Sequence, residues 1–139
     1  MGSQIFKTWE PHKAIPRRVE VMAIRDEDEG LTVVLASEDS RRPVAKLVFQ
    51  SVVAYRNVNE SFRLRTWRTH NMAGLPSLLI VEGSLWLTWL RDESDSVLEE
   101  FAVTHYAIYT NDDCLDVAAK EPPKIYVNDL RAYVPVGDE

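Results

Sequence analysis

The sequence has little cysteine and little glycine: Cys114 is the only cysteine, and five glycines are scattered over 139 residues. A lone cysteine excludes an intramolecular disulfide and a cysteine-rich zinc site. The glycines lie too far apart for a phosphate-binding loop, and neither the dinucleotide-binding pattern nor the Walker A pattern occurs. We therefore expect no cofactor bound through such a loop, and we expect no cofactor of another kind.

Long apolar runs are also missing. Apolar stretches such as residues 78–81 and 85–87 fall far short of the roughly 20 residues that a membrane-spanning helix needs. The first seven residues contain no apolar run of the kind found in signal peptides. We expect a cytoplasmic protein with no membrane association.

Catalytic and metal-binding patterns are scarce. The three histidines, His12, His70 and His105, are not at metal-ligand spacing, so we expect no metal site. Ser84 follows a glycine but lacks the second glycine of a nucleophile elbow, and it is interpreted as a helix N-cap. Cys114 lies among apolar residues and is interpreted as a small core side chain. His105 is interpreted as a core or edge histidine bonded to backbone, so the chain leans towards a non-enzyme.

Length and composition are those of one globular domain. The 139 residues are 45% hydrophobic and 27% charged. A chain of this size buries roughly 68–70% of its unfolded surface and needs no disulfide or structural metal to fold. We expect a single domain over residues 1–139. Residues 1–16 contain two prolines and are predicted to be an irregular lead-in, and residues 120–139 are predicted to be partly irregular.

Alternating apolar and polar residues predict a β-rich chain. Strands are predicted at residues 17–25, 31–36, 44–55, 78–81, 101–110, 114–118, 125–127 and 131–134. Residues 85–91 favour a short helix, although a strand is the alternative there, and residues 57–75 do not distinguish helix from strand. The sum is an α+β fold with about six to eight strands, mostly antiparallel and meander-like, and one or two short helices.

Charge is distributed unevenly along the chain. The net charge of −6 argues against nucleic acid as a partner. Residues 1–69 hold 12 basic and 9 acidic residues (+3), and residues 70–139 hold 4 and 13 (−9). An acidic surface in predicted loops is typical of a site for a basic protein partner. The candidate partner-binding residues are Asp92, Glu93, Asp95, Glu99, Glu100, Asp112 and Asp113.

Four blocks carry a family resemblance. They are Leu47-Val48-Phe49 followed by Tyr55-Arg56-x-x-Asn59-Glu60-Ser61, then Gly83-Ser84-Leu85-x-x-x-Trp89-Leu90, then His105-Tyr106-x-Ile108-Tyr109-Thr110, then Leu115-Asp116-Val117. Over residues 17–120 this order resembles small bacterial immunity-type proteins of polymorphic toxin systems. The resemblance implies a non-catalytic protein-binding module that neutralises a toxin, and it implies no catalytic residues.

Two other hypotheses remain open. Polar and aromatic residues on otherwise apolar strands indicate a cleft for a small molecule or a substrate near Tyr55, Arg56, Glu60, His105 and Tyr106. Exposed strand edges of a β-rich domain would also suit a structural subunit of a homo-oligomer.

Overall fold

The computed structural model describes residues 4–70, 72–95 and 97–127, and these form an α+β fold. The strands are β1 (Ile5–Thr8), β2 (Val19–Glu27), β3 (Gly30–Ser37), β4 (Pro43–Phe49), β5 (Val52–Asn59), β6 (Leu78–Glu82), β7 (Thr104–Tyr109), β8 (Asp113–Ala119) and β9 (Lys124–Tyr126). The α-helices are α1 (Leu64–His70) and α2 (Leu85–Glu93), and 3₁₀ turns cover Glu60–Phe62, Met72–Gly74 and Val97–Glu100.

Two antiparallel sheets pack face to face. One has five strands in the order β1-β6-β7-β8-β5, and the other has four in the order β2-β3-β4-β9. Alternate side chains of each strand point into the space between the sheets, as the two-residue period of a strand requires. Leu47 and Phe49 from the smaller sheet and Ile108 and Leu115 from the larger one are fully buried there.

The two helices cover the outer face of the five-stranded sheet. Met72 and the half-buried Trp67 pack on Ala107 at one end, and Trp86 of α2 packs on Ala118 at the other. The chain therefore has three layers, and β7 and β8 are buried on both faces. In the described part of the chain, no helix is long and apolar enough to cross a membrane.

The predicted α+β class is confirmed, with nine strands among the described residues rather than six to eight, and so is the helix that begins after Ser84. Ser84 is its N-cap, and the side chain accepts a hydrogen bond from the backbone N–H of Leu87. Residues 57–75, which the sequence left open, complete β5 up to Asn59 and then form the first 3₁₀ turn, α1 and the second 3₁₀ turn, with Asn71 outside the described residues.

Three details of the prediction are wrong. Residues 5–8 of the supposed irregular lead-in form β1, because the prolines at 11 and 16 lie beyond the residues that pair with β6. The run 44–55 is two strands, because polar Gln50 and Ser51 interrupt it, and β4 and β5 belong to different sheets. The strand predicted at 101–110 begins only at Thr104, because a 3₁₀ turn precedes it. The strand predicted at 131–134 lies outside the described residues.

Candidate functional site

A carboxylate lies in the middle of the five-stranded sheet. Asp116 follows Leu115 in β8, and its fully buried side chain points to the helix-covered face. Its direct neighbours across the strands are Ala107 in β7 and Arg56 in β5. Because Ala107 is small, the residues two positions before and after it, His105 and Tyr109, can reach the carboxylate diagonally.

Four side chains bind the two oxygens of Asp116. His105 Nε2 lies 2.7 Å from Oδ1, and the Tyr109 hydroxyl donates to the same oxygen at 2.6 Å. Oδ2 accepts from Nε of Arg56 at 2.8 Å and from Nη1 of Arg63 at 3.2 Å. Each oxygen therefore has two donors, which is the arrangement that makes a buried carboxylate tolerable. We call these five residues the Asp116 network.

The network keeps Asp116 ionised and Tyr109 protonated. Burial alone raises the pKa of Asp116, but the hydrogen bond and charge of His105, the charge of Arg56 and the Tyr109 hydroxyl lower it below its usual value. Burial, followed by the negative charge of Asp116, raises the pKa of Tyr109. Arg63 is desolvated, which by itself lowers its pKa, but Tyr109 and Asp116 raise it overall. One carboxylate therefore faces two guanidinium groups.

Ser84 extends the network to a serine–histidine–aspartate chain. Its Oγ lies 2.7 Å from Nδ1 of His105, and it also accepts the N–H of Leu87 at 3.0 Å. In serine hydrolases the histidine nitrogen next to the serine is Nε2, and the nucleophile faces the substrate. Here the nitrogens are exchanged, Ser84 is buried and its oxygen caps α2. The arrangement therefore supports a structural role rather than acyl transfer.

An aromatic groove lies between β5 and α2, beside this network. It has a volume of about 820 Å³. Its lining residues are Gln4, Ala54, Tyr55, Arg56, Leu85, Trp86, Trp89 and Leu90. Leu85 and Trp89, four residues apart on one side of α2, are 67% and 55% exposed. We call it the β5–α2 groove.

Arg56 belongs to both the network and the groove. Its guanidinium carbon lies 4.8 Å from the centre of the Trp86 ring, and 40% of its side chain is exposed. Trp86 also meets the His105 ring edge to face at 5.0 Å. The network therefore fixes two of the side chains that line the groove, since Arg56 is held at Nε and Trp86 is packed on His105.

The structure brings together only part of the predicted cleft. Arg56 and His105 meet through Asp116, and Tyr55 lines the groove while its hydroxyl donates to Asp26 at 3.2 Å. Glu60 begins the 3₁₀ turn after β5 and is not one of the groove residues. Tyr106 points to the opposite face of β7, where it packs on Phe49 between the sheets, because neighbouring residues of a strand alternate.

Two interpretations of single residues have clear outcomes. His105 is a buried core histidine, as predicted, but the expected bond to backbone is wrong, because its ring nitrogens lie within hydrogen-bond distance of Ser84 Oγ and Asp116 Oδ1. Cys114 is a fully buried core residue, as predicted, and burial raises the pKa of its thiol.

The predicted acidic surface is divided into two clusters. Asp92 and Glu93 end α2, which corrects their expected place in a loop, and the exposed Asp95 and Glu100 follow them. Glu99, like Glu100, lies in the 3₁₀ turn Val97–Glu100, and its side chain is outside the described part. Asp112 and Asp113 stand at the β7–β8 turn. One cluster precedes β7 in the chain and the other follows it, and the six residues of that strand span about 17 Å at 3.4 Å per residue.

Sequence reasoning missed Asp116, Tyr109 and Arg63 as members of a site. The available signal was Asp116 itself, a carboxylate inside an apolar strand that must find partners when buried. The turn after Tyr109 also sets the register of the hairpin, which places Ala107 opposite Asp116. Among the described residues, no three His, Cys, Asp or Glu side chains are placed to hold a metal ion.

Comparison with known proteins adds no function. No family model matches the sequence, and neither curated proteins nor solved structures gave a match. The resemblance to immunity-type proteins therefore stays a prediction, and function has to be argued from the Asp116 network and the β5–α2 groove.

Proposed function

We propose that this chain is a non-catalytic binding protein whose β5–α2 groove holds a small ligand with an apolar body. The observation that carries the proposal is the pair Leu85 and Trp89, both more than half exposed side by side at the groove. Apolar walls with a few fixed polar groups, in a volume between roughly 300 and 1,000 Å³, are typical of small-molecule sites. A ligand that covers Leu85 and Trp89 removes their apolar area from water, and this favours binding.

The Asp116 network supports binding rather than catalysis. A general acid or base must come within hydrogen-bond reach of the reacting group. His105, Ser84 and Asp116 are buried, and they are bonded to one another and to the cap of α2. The network instead holds Arg56 and Trp86 in one arrangement before a ligand arrives, which lowers the ordering cost of binding.

The Trp89→Ala variant tests this proposal. The probes are 1-naphthaleneacetate and its neutral amide, 1-naphthaleneacetamide, titrated by calorimetry and by amide NMR. We expect at least one probe to shift the resonances of residues 54–56 and 85–90. We also expect Trp89→Ala to weaken that binding at least about tenfold, since a Trp side chain contributes a large apolar contact.

The matched control is Phe62→Ala. Phe62 is 82% exposed but does not line the groove, so its loss should leave probe affinity unchanged. If neither probe binds the protein up to about 1 mM, or if both variants weaken binding equally, the proposed function is overturned.

The acidic cluster at the end of α2 supports a second candidate, a basic protein partner of the kind that the immunity-type resemblance implies. Asp92, Glu93, Asp95 and Glu100 are exposed within nine residues, together with Val97, which is 59% exposed. An apolar centre with a charged rim is a common interface pattern, and the charge speeds association.

Co-purification with the product of the adjacent gene tests this second candidate. We expect the combined change D92N, E93Q and D95N to slow association, and D112N with D113N, in the other cluster, to have a smaller effect. Failure to form any complex, or an equal effect of both changes, would remove this candidate.

A further inference from the structure

We infer that the ligand of the β5–α2 groove is a monocarboxylic acid whose carboxylate pairs with Arg56. This inference rests on the binding function proposed above and adds the chemical class of the ligand. It is carried by the charge of the Asp116 network, by the free donors of Arg56 and by the aromatic walls around them.

The network carries a surplus positive charge. Within the described ranges, Asp116 is the only carboxylate in an ion pair with Arg56 or with Arg63. Because Arg63 is 17% exposed and Arg56 is 40% exposed, the surplus charge reaches solvent mainly at Arg56, inside the groove.

Arg56 also keeps unused donors. Its Nε donates to Asp116, whereas neither Nη forms a hydrogen bond with another described residue. The two Nη groups of a guanidinium lie side by side in one plane, and a carboxylate can accept from both at once. A carboxylate ligand would match this pair of donors and the surplus positive charge of the network.

The guanidinium is already oriented for that role. The 2.8 Å bond from Nε to Asp116 and the Trp86 ring at 4.8 Å fix its position. Arginine stacks readily on an aromatic face. A guanidinium whose position is already fixed loses less conformational entropy when it binds a carboxylate. Trp86, Trp89 and Leu90 then offer apolar contact to the body of the acid.

The acetate and amide probes test the inference, because they have nearly the same shape and differ in charge. We expect wild-type protein to bind 1-naphthaleneacetate at least about tenfold more tightly than the amide. Arg56→Gln should lower the affinity for the acetate to that for the amide, and it should leave the affinity for the amide nearly unchanged. Arg56→Lys keeps the charge but not the fork, so it should retain part of the preference.

Arg65→Gln is the matched control. It removes the same charge from an exposed residue of α1 that belongs neither to the Asp116 network nor to the groove. We expect this variant to keep the preference for acetate over amide. Equal binding of both probes, still weakened by Trp89→Ala, would overturn the carboxylate inference and leave the binding function standing. Absence of any binding would overturn the binding function itself.

Discussion

At the scale of single residues, Asp116 is the group on which the site depends. Its two oxygens accept from His105, Tyr109, Arg56 and Arg63. Asn has nearly the same shape but carries no charge, so Asp116→Asn would leave two guanidinium groups without a counter-charge. Removing one partner of a buried pair costs about 3–5 kcal/mol.

We therefore expect Asp116→Asn to lower the free energy of unfolding by about 3–5 kcal/mol in urea titrations at pH 7. The control is Asp113→Asn in the same strand, where the carboxylate accepts from Asn57 at 2.9 Å and is partly exposed. That change should cost less than about 1 kcal/mol. Equal losses for the two variants would contradict the assigned role of Asp116.

The same pair of proteins tests a pH dependence. The folded-state pKa of Asp116 is lowered, because its hydrogen-bond and charge partners outweigh the effect of burial. The pKa of an aspartate in an unfolded chain is about 3.9. The stabilisation is thus present above the unfolded value and is lost as the pH falls through the folded value. We expect the gap between wild type and Asp116→Asn to shrink below about pH 4. A gap that stays constant between pH 5 and the acid limit of folding would refute this linkage.

The sequence pointed to Arg56 and His105 but not to what joins them. Strand alternation places His105 and Tyr106 on opposite faces, so the predicted cleft could not hold both. Asp116 was overlooked because a single carboxylate in a strand has no motif. Its partners come from β5, β7 and the segment before α1, and only the register of three strands brings them together.

At the scale of elements, the β2–β3 hairpin depends on the glycine that starts β3. Gly30 has a φ of 132°, a conformation that side chains rarely adopt, and a Cβ there would collide with the carbonyl oxygen of Phe49. Strain of this kind costs about 1–3 kcal/mol, and overpacking adds a similar amount.

We expect Gly30→Ala to lower the free energy of unfolding by at least about 2 kcal/mol, measured by urea titration. Gly74→Ala is the control, because a Cβ at Gly74 meets nothing within 4 Å. That variant should be neutral, or stabilising by a few tenths of a kcal/mol through a less flexible unfolded chain. A Gly30→Ala protein as stable as wild type would show that the hairpin accepts a side chain there.

Elements with their own local signals were the ones that the sequence predicted well. Ser84 followed by apolar residues predicted α2, since a capping hydroxyl and helical spacing act within one turn. The division of residues 44–55 between two sheets was not predictable in the same way. Each half alternates correctly by itself. β4 pairs with its neighbour β3 and with β9, whereas β5 pairs with the distant β8, so long-range pairing decides that the two halves join different sheets.

At the scale of the whole molecule, folding mixes the two charge halves of the chain. Arg56 and Arg63, from the basic half, meet Asp116 from the acidic half, and Lys7 pairs with Glu82 in the same way. The acidic residues that remain on the surface form local clusters at the end of α2, in the β7–β8 turn and around the β2–β3 turn, where Asp26, Glu27, Asp28 and Glu29 are exposed. The electrostatic attraction of one continuous acidic surface for a basic partner is therefore weaker than the charge distribution along the sequence suggested.

The two sheets share one core, so we expect the three layers to unfold together. Leu47 lies in β4 and is fully buried against the larger sheet, whereas Trp67 and Trp86 lie on the far side of that sheet. Leu47→Ala should lower the free energy of unfolding by about 2–5 kcal/mol. It should shift the tryptophan fluorescence transition and the far-UV circular dichroism transition by the same amount.

Phe62→Ala serves as the control, because Phe62 is 82% exposed and its truncation should change stability little. Separate midpoints for fluorescence and circular dichroism in Leu47→Ala would mean that the four-stranded sheet unfolds on its own. In that case the Asp116 network would be stabilised by the five-stranded sheet and the helices alone. Coincident midpoints would mean instead that the core between the sheets holds Arg56 and Trp86 in place, because the strand that carries Asp116 is buried against that core on its other face.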